Sequence, residues 1–155
     1  RYMINGQTLE QEVNEPKHYR SHESGIEAIE VTRWLQFDLG NCWKYCMRYR
    51  DKGTPKKDLK KAIWYINDFH KYFIDYNNDS TFIHKVPEDV IEKMCRIIEA
   101  EPSKVIKQMF DMVLQIVTQN GILKPTDYEF VVHELEQFAE TLEDKEYNYD
   151  EDNQG

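Results

Sequence analysis

Apolar residues in this chain recur at intervals of three and four and are punctuated by proline and glycine, a rhythm that only helices can use. Leu59, Ala62, Ile63, Ile66, Phe69 and Phe73 lay one stripe along a single helical face. Thr54 is placed to cap that helix, and Pro55 falls at its first position, where a missing N–H is harmless. The spacing predicts a helix running to about Tyr76, about 33 Å long at 1.5 Å per residue. No stretch shows the alternation of a half-buried strand. The fold class is all-α, with about six helices.

The other five follow from the same signals. "GIEAIEVTRWLQ" predicts a first helix of about three turns through Ile26, Ile29, Val31, Trp34 and Leu35. "FDLGN" reads as a break, and Asn41 to Arg50 as a second helix stopped by "DKGTP". After Pro87, Glu88 and Asp89 sit in the first turn of a fourth helix, where the helix dipole favours them. A fifth begins near Pro102 and stops at Asn120-Gly121, and a sixth takes Thr126 or Asp127 as its cap. The stripe Val105, Met109, Met112, Ile116 suits either core or subunit interface. The expected organisation is a polar arm over 1–24, a three-helix unit over 25–77 and a second helical unit over 84–142. Residues 143–155 carry six acids, one lysine and no apolar period, which predicts a disordered tail.

Charge is unevenly spread. The net charge of the 155 residues is −9, yet Arg33 to Lys71 holds ten basic and four acidic residues, leaving −15 for the rest. That split suits a small anionic ligand held in one place and argues against a long nucleic-acid polymer, which needs an extended cationic stripe. Three cysteines give no even disulfide framework and point to a reducing compartment, so a cytoplasmic protein is expected. No apolar run is long enough to span a membrane. Met3 is the expected native start, and no secretory signal pattern follows it.

One constellation carries chemistry. Asn41, Lys44, Tyr45 and Arg48 share a face of the second helix, and Asp58, Lys61 and Tyr65 share a face of the third. The short turn between them predicts antiparallel packing, so both faces can border one crevice. Lys and Arg there neutralise phosphate oxygens, Tyr stacks on a base and Asn reads its edge. The same residues also fit a plain reading of solvated lysines and half-buried tyrosines. Lys56, Lys57 and Lys60 read as a wet face. Cys42 and Cys46 lack a second pair with zinc spacing and read as core thiols. Glu27 and Glu30 could coordinate magnesium, the one cofactor the chemistry would bring. Five scattered histidines and "GTPKKD", which is not a phosphate loop, add nothing further.

"PKHY" at 16–19, "GIEAIEV" at 25–31, "GN..KY..R" at 40–48 and "DLKKAIWYI" at 58–66 resemble, in order and spacing, a small phage-encoded family. That family, formerly a domain of unknown function, is labelled nucleotide kinase or nucleotide kinase-like, and the resemblance covers about residues 15–73. It implies a kinase of deoxynucleoside monophosphates that works without a phosphate loop. The shared positions are His18, Tyr19, Glu27, Asn41, Lys44, Tyr45, Arg48, Asp58, Lys61 and Tyr65. Where the family commonly continues "RAG.K" this chain has "RYRDK", which suggests an altered pocket mouth at Tyr49 and Arg50.

The resulting expectation is a phage protein, active in the cytoplasm of its host, that binds nucleotide phosphates on Lys44, Arg48 and Lys61. Kinase-like transfer would use those cations as a clamp, with Asp58 or Glu27 orienting the acceptor and His18 as acid/base. The small chain suggests that subunits of a homo-oligomer share sites. The alternative, of a different class, is a sponge that sequesters a nucleotide-derived immune signal of the host. A metal-dependent nucleotide pyrophosphohydrolase ranks last, because only Glu27 and Glu30 offer carboxylates.

Overall fold

The computed structural model describes residues 3–4, 7–8, 22–76, 85–118 and 125–145. Among the described residues stand six α-helices, α1 (Ala28–Thr32), α2 (Phe37–Arg48), α3 (Pro55–Phe69), α4 (Glu88–Ala100), α5 (Lys104–Thr118) and α6 (Pro125–Glu140). The fold is all-α. Met3–Ile4 (β1) and Gln7–Thr8 (β2) pair antiparallel, Met3 opposite Thr8, a ladder too short to need an alternating sequence.

Two boundaries differ from expectation. The first helix covers only Ala28–Thr32, because Trp34 and Leu35 turn through i→i+3 bonds to Val31 and Thr32 instead of continuing it. The second begins at Phe37, before the supposed break. The Gln36 side-chain oxygen accepts from the Asp38 and Leu39 amides and starts it. Gly40 lies inside that helix: a Cβ there would stand 3.3 Å from the Thr32 carbonyl oxygen and 3.7 Å from Leu35 Cβ. Glycine marks a close approach of α1 and α2 rather than a stop. The third helix does reach Tyr76, but from His70 onward as a π-helical stretch.

One apolar cluster unites all six helices. Val31, Leu39, Trp43, Leu59, Ile66, Phe69, Met94, Ile97, Phe110, Ile116 and Leu135 are all fully buried. Trp43 of α2 meets Phe110 of α5 with ring centroids 4.3 Å apart, joining the two halves of the chain. Met109, Met112 and Ile116 are buried within this core, and Val105 is half-buried against it. Cys42 and Cys46 are core thiols. A hydrogen bond with Cys42, then burial, pushes the Cys46 thiol well up.

A polar clamp, buried at Glu101 and His22 and open to solvent at Arg50, also ties the halves. Glu101, between α4 and α5, is 1% exposed. Arg50 donates to both its oxygens at 2.9 and 2.7 Å, and the Ser103 amide donates at 3.1 Å. His22 Nε2 lies 3.7 Å from Glu101 Oε1. The Ser24 amide donates to His22 Nδ1 at 3.1 Å, which leaves the ring proton on Nε2, facing the carboxylate. Tyr49 is buried against Phe138, and burial pushes its phenol up to about 12. Tyr49 and Arg50 therefore face the C-terminal helices; the altered pocket mouth expected at these positions is not there.

The acidic tail also departs from expectation at its start. Residues 143–145 dock on the α2–α3 turn: the Lys145 amide donates to the Gly53 carbonyl at 2.7 Å. Asp144 accepts from the Lys56 and Lys57 amides at 2.8 and 3.1 Å. It supplies the cap that Thr54, whose side chain makes no cap bond, was expected to give. The remainder of the tail, 146–155, lies outside the described residues. Gly53 has φ +76°, and a Cβ there would come within 2.8 Å of the exposed Lys145 side chain. Lys145 can move aside, so Gly53→Ala should lower stability by about 1 kcal/mol, the left-handed backbone penalty alone. Urea midpoints of the two proteins check this.

Candidate functional site

α2 and α3 form an antiparallel hairpin, and the turn at 49–54 sets which faces meet. Tyr45 and Tyr65, one from each helix, lie parallel with centroids 6.1 Å apart and an interplanar angle of 12°. Around the Tyr45 ring stand three cations: Lys44 Nζ at 4.5 Å, Arg48 Cζ at 5.3 Å and Lys61 Nζ at 5.3 Å from its centroid. Lys44 donates to Asn41 Oδ1 at 3.1 Å, and Asn41 Nδ2 donates back to the Phe37 carbonyl at 2.9 Å. At the turn end of the crevice Arg48 Nε lies 3.8 Å from Asp58 Oδ2, both residues buried. Asn41, Lys44, Tyr45, Arg48, Asp58, Lys61 and Tyr65 are thus brought to one place.

The electrostatics of that place are crowded. Burial, and then the positive charges of Arg48 and Lys61, press the Lys44 ammonium below the ordinary lysine range, with Asp58 partly offsetting them. Burial raises the Asp58 carboxyl; Arg48 and Lys61 pull it back, while Asp144 and Asp51 push it further up. Three cations stand around the Tyr45 ring, and Asp58 is the carboxylate nearest them, already paired with Arg48, with Asp51 and Asp144 close enough to act on it. The cations that face the rings are the ones placed to take an added anion.

Two aromatic rings at this site were not singled out from the sequence. Phe37, 70% exposed, sets its edge against Tyr65 at 5.8 Å, and Trp64, 61% exposed, does so at 5.1 Å. Phe37 is one helical turn before Asn41 on the same face, which is the signal that would have found it. At the far end of the hairpin Asp38 is buried, and burial first, then the neighbouring Asp68 carboxyl, pushes its own up to about 7.

Other expected residues lie elsewhere. Glu27 and Glu30 form a reciprocal capping box at the start of α1, and Glu30 also pairs with Lys93 at 3.3 Å. These bonds give both carboxylates a structural task, so they do not form a magnesium cage. Among the described residues no three His, Cys, Asp or Glu side chains converge to hold a metal ion. His18 and Tyr19 lie outside the described residues. Lys56 and Lys60 are not simply wetted; both pair with Glu140 at 3.4 Å. No helix among the described residues is long and apolar enough to cross a membrane.

No curated protein and no solved structure matches this chain. A family model does match residues 13–67, about a third of the chain, and it includes both helices of the crevice. Its description assigns no activity, so nothing in the comparisons links the chain to a phage nucleotide kinase family, and that resemblance is corrected accordingly. What this chain is similar to, over those residues, is the family described as a protein of unknown function, DUF3310.

Proposed function

We propose that the protein binds a nucleotide in the α2–α3 crevice. The observation that carries this reading is the convergence of Lys44, Arg48 and Lys61 on the stacked Tyr45–Tyr65 pair. Phosphate oxygens meet these cations, with Arg48 and the two lysines as donors. The exposed Phe37 ring and the Asn41 amide offer a stacking surface and an edge contact for the base.

Two uses of such a site follow. In phosphoryl transfer, the terminal phosphoryl group of a triphosphate moves to a phosphate oxygen of a monophosphate. The bond to the bridging oxygen breaks, a new P–O bond forms, and two diphosphates result. The acceptor is already an oxyanion, so the cations that offset charge matter more than a base. The second use is sequestration, with the ligand held and released unchanged. One observation favours it: Asp58, the group expected to orient an acceptor, is buried and paired with Arg48. A homo-oligomer remains part of this proposal, its subunits sharing the sites.

Mixed nucleoside mono- and triphosphates, incubated with the protein and filtered, test both uses. We expect nucleotide in the retained fraction, reduced at least tenfold in Lys44→Ala and Lys61→Ala. Lys61 is exposed, so its variant keeps the fold, whereas Arg48→Ala breaks the buried pair with Asp58. New diphosphates in the filtrate identify transfer; a ligand recovered intact identifies sequestration. No retention at millimolar nucleotide overturns the reading.

A further inference from the structure

Lys61 belongs to two cationic places at once. In the crevice its Nζ stands 5.3 Å from the Tyr45 ring. On the outer side of α3 it lines an open groove of about 420 Å³ with Lys56, Lys57, Lys60, Trp64 and Asp144. The two places touch through their aromatic rings: Trp64 meets Tyr65 edge-on at 5.1 Å, and Tyr65 lies parallel to Tyr45. Lys61 and this chain of rings join crevice to groove.

The groove has the parts of a single-strand site. Lysines follow one another along it at helical spacing, Lys57 and Lys61 one turn apart, with Trp64 on the next turn. Trp64 leaves 61% of its surface in water, a large apolar ring open to a stacking partner. Cations that track a phosphate backbone, beside an indole that takes any base by its π-face, bind single strands without reading their sequence. Two cations of this groove already meet a carboxylate of the chain itself: Glu140 bridges Lys56 and Lys60 at 3.4 Å each, while Asp144 accepts from the backbone amides of Lys56 and Lys57. A phosphate entering the groove exchanges for contacts of the same kind.

We propose that crevice and groove together bind a short linear oligonucleotide, its phosphates divided between the crevice cations and the groove lysines, with one base on Trp64. This rests on the nucleotide reading above and specifies the ligand class: a linked chain of nucleotides is held better than a single one. The length follows from the helix. From Lys57 to Trp64 α3 rises about 10 Å at 1.5 Å per residue, and a stacked strand advances about 3.4 Å per nucleotide. About three nucleotides fill that span. Outside 33–71 the chain carries −15, which repels a longer strand and keeps the ligand short.

Calorimetric titration of the full chain with thymidine monophosphate, and with oligothymidylates of increasing length, tests this. Affinity should rise about tenfold or more from the monophosphate to the trimer, since one base–indole stack supplies that factor. It should then stay level up to an octamer. Each phosphate gained should steepen the plot of log affinity against log salt by about 0.7. Trp64→Ala, a surface change, should weaken the trimer about tenfold and the monophosphate far less, because the monophosphate draws mainly on the crevice cations. Equal affinity for monophosphate and trimer, or a trimer indifferent to Trp64→Ala, overturns the proposal while the nucleotide reading stands. Affinity that climbs steadily to the octamer overturns it too, in favour of a long-strand binder. A monophosphate that does not bind, or whose binding survives Lys44→Ala, sinks the nucleotide reading and this proposal with it.

Discussion

Glu101→Ala should lower the unfolding free energy at pH 7 by about 2 to 3 kcal/mol, less than for a fully buried pair because the Arg50 guanidinium left behind is partly in water. Burial acts to raise the Glu101 carboxyl, but the neighbouring His22 ring and hydrogen bonds from Arg50 and the Ser103 amide outweigh it and hold the group down at about 2. In the unfolded chain the same carboxyl returns to about 4.5, the ordinary value for glutamate. The folded state therefore binds fewer protons than the unfolded state between those values. The contribution is fully present above about pH 4.5 and is lost as pH falls towards 2. That interval corresponds to about 3 kcal/mol, at about 1.4 kcal/mol per pH unit. Urea denaturation of wild type and Glu101→Gln across pH 2 to 7 checks it: the difference between them should shrink steadily as pH falls. A difference that stays constant with pH would show that packing, and not the charge, is what Glu101 supplies. Arg50→Ala should cost a similar amount, and the double variant no more than either alone.

Asp38→Asn should do the opposite and stabilise the protein, by about 4 kcal/mol at pH 8. Burial, then the Asp68 carboxyl, raises Asp38 to about 7 from an ordinary 3.8. Between those values the folded state binds more protons than the unfolded, so stability falls as pH climbs from about 4 to about 7. Above that the ionised Asp38 costs the full amount, at about 1.4 kcal/mol per pH unit. Asparagine keeps the shape and removes the charge. It also forfeits the attraction of a carboxylate for the start of α2, worth about 0.5 kcal/mol, a smaller term. Thermal unfolding at pH 5 and pH 8 checks the sign. The variant should gain at pH 8 and match wild type near pH 4. Together with Glu101, this places the wild-type stability maximum on the acidic side of neutrality.

The helices were legible because each hides one stripe, and a stripe leaves its period in the sequence. Asn41, Lys44, Tyr45 and Arg48 could be grouped with Asp58, Lys61 and Tyr65 for the same reason: a short turn leaves two helices little choice but to pack side by side. What the residues could not disclose depends on contacts across long stretches of chain. Gly40 reads locally as a break, and only the Thr32 carbonyl beside it explains why the helix runs through. Thr54 reads as a cap, and only Asp144, nearly ninety residues later, displaces it. Glu27 and Glu30 illustrate the reverse: a pair at metal-like spacing is equally the spacing of a capping box, and the helix start used it.

The Arg50–Glu101 clamp has a consequence for how such chains can diverge. Its partners are 51 residues apart, and the family match ends at residue 67, well before the carboxylate. A relative keeping the matched helices but lacking α4 and α5 would have an arginine with no acceptor and a Trp43 with no Phe110 to cover it. Positions 43 and 50 can therefore change only in step with the second half of the molecule. The crevice residues face the other side of the hairpin and are released from that constraint. In an alignment of relatives, the residues of the hairpin should fall into two groups: one that varies with the C-terminal helices, and one that varies with the ligand.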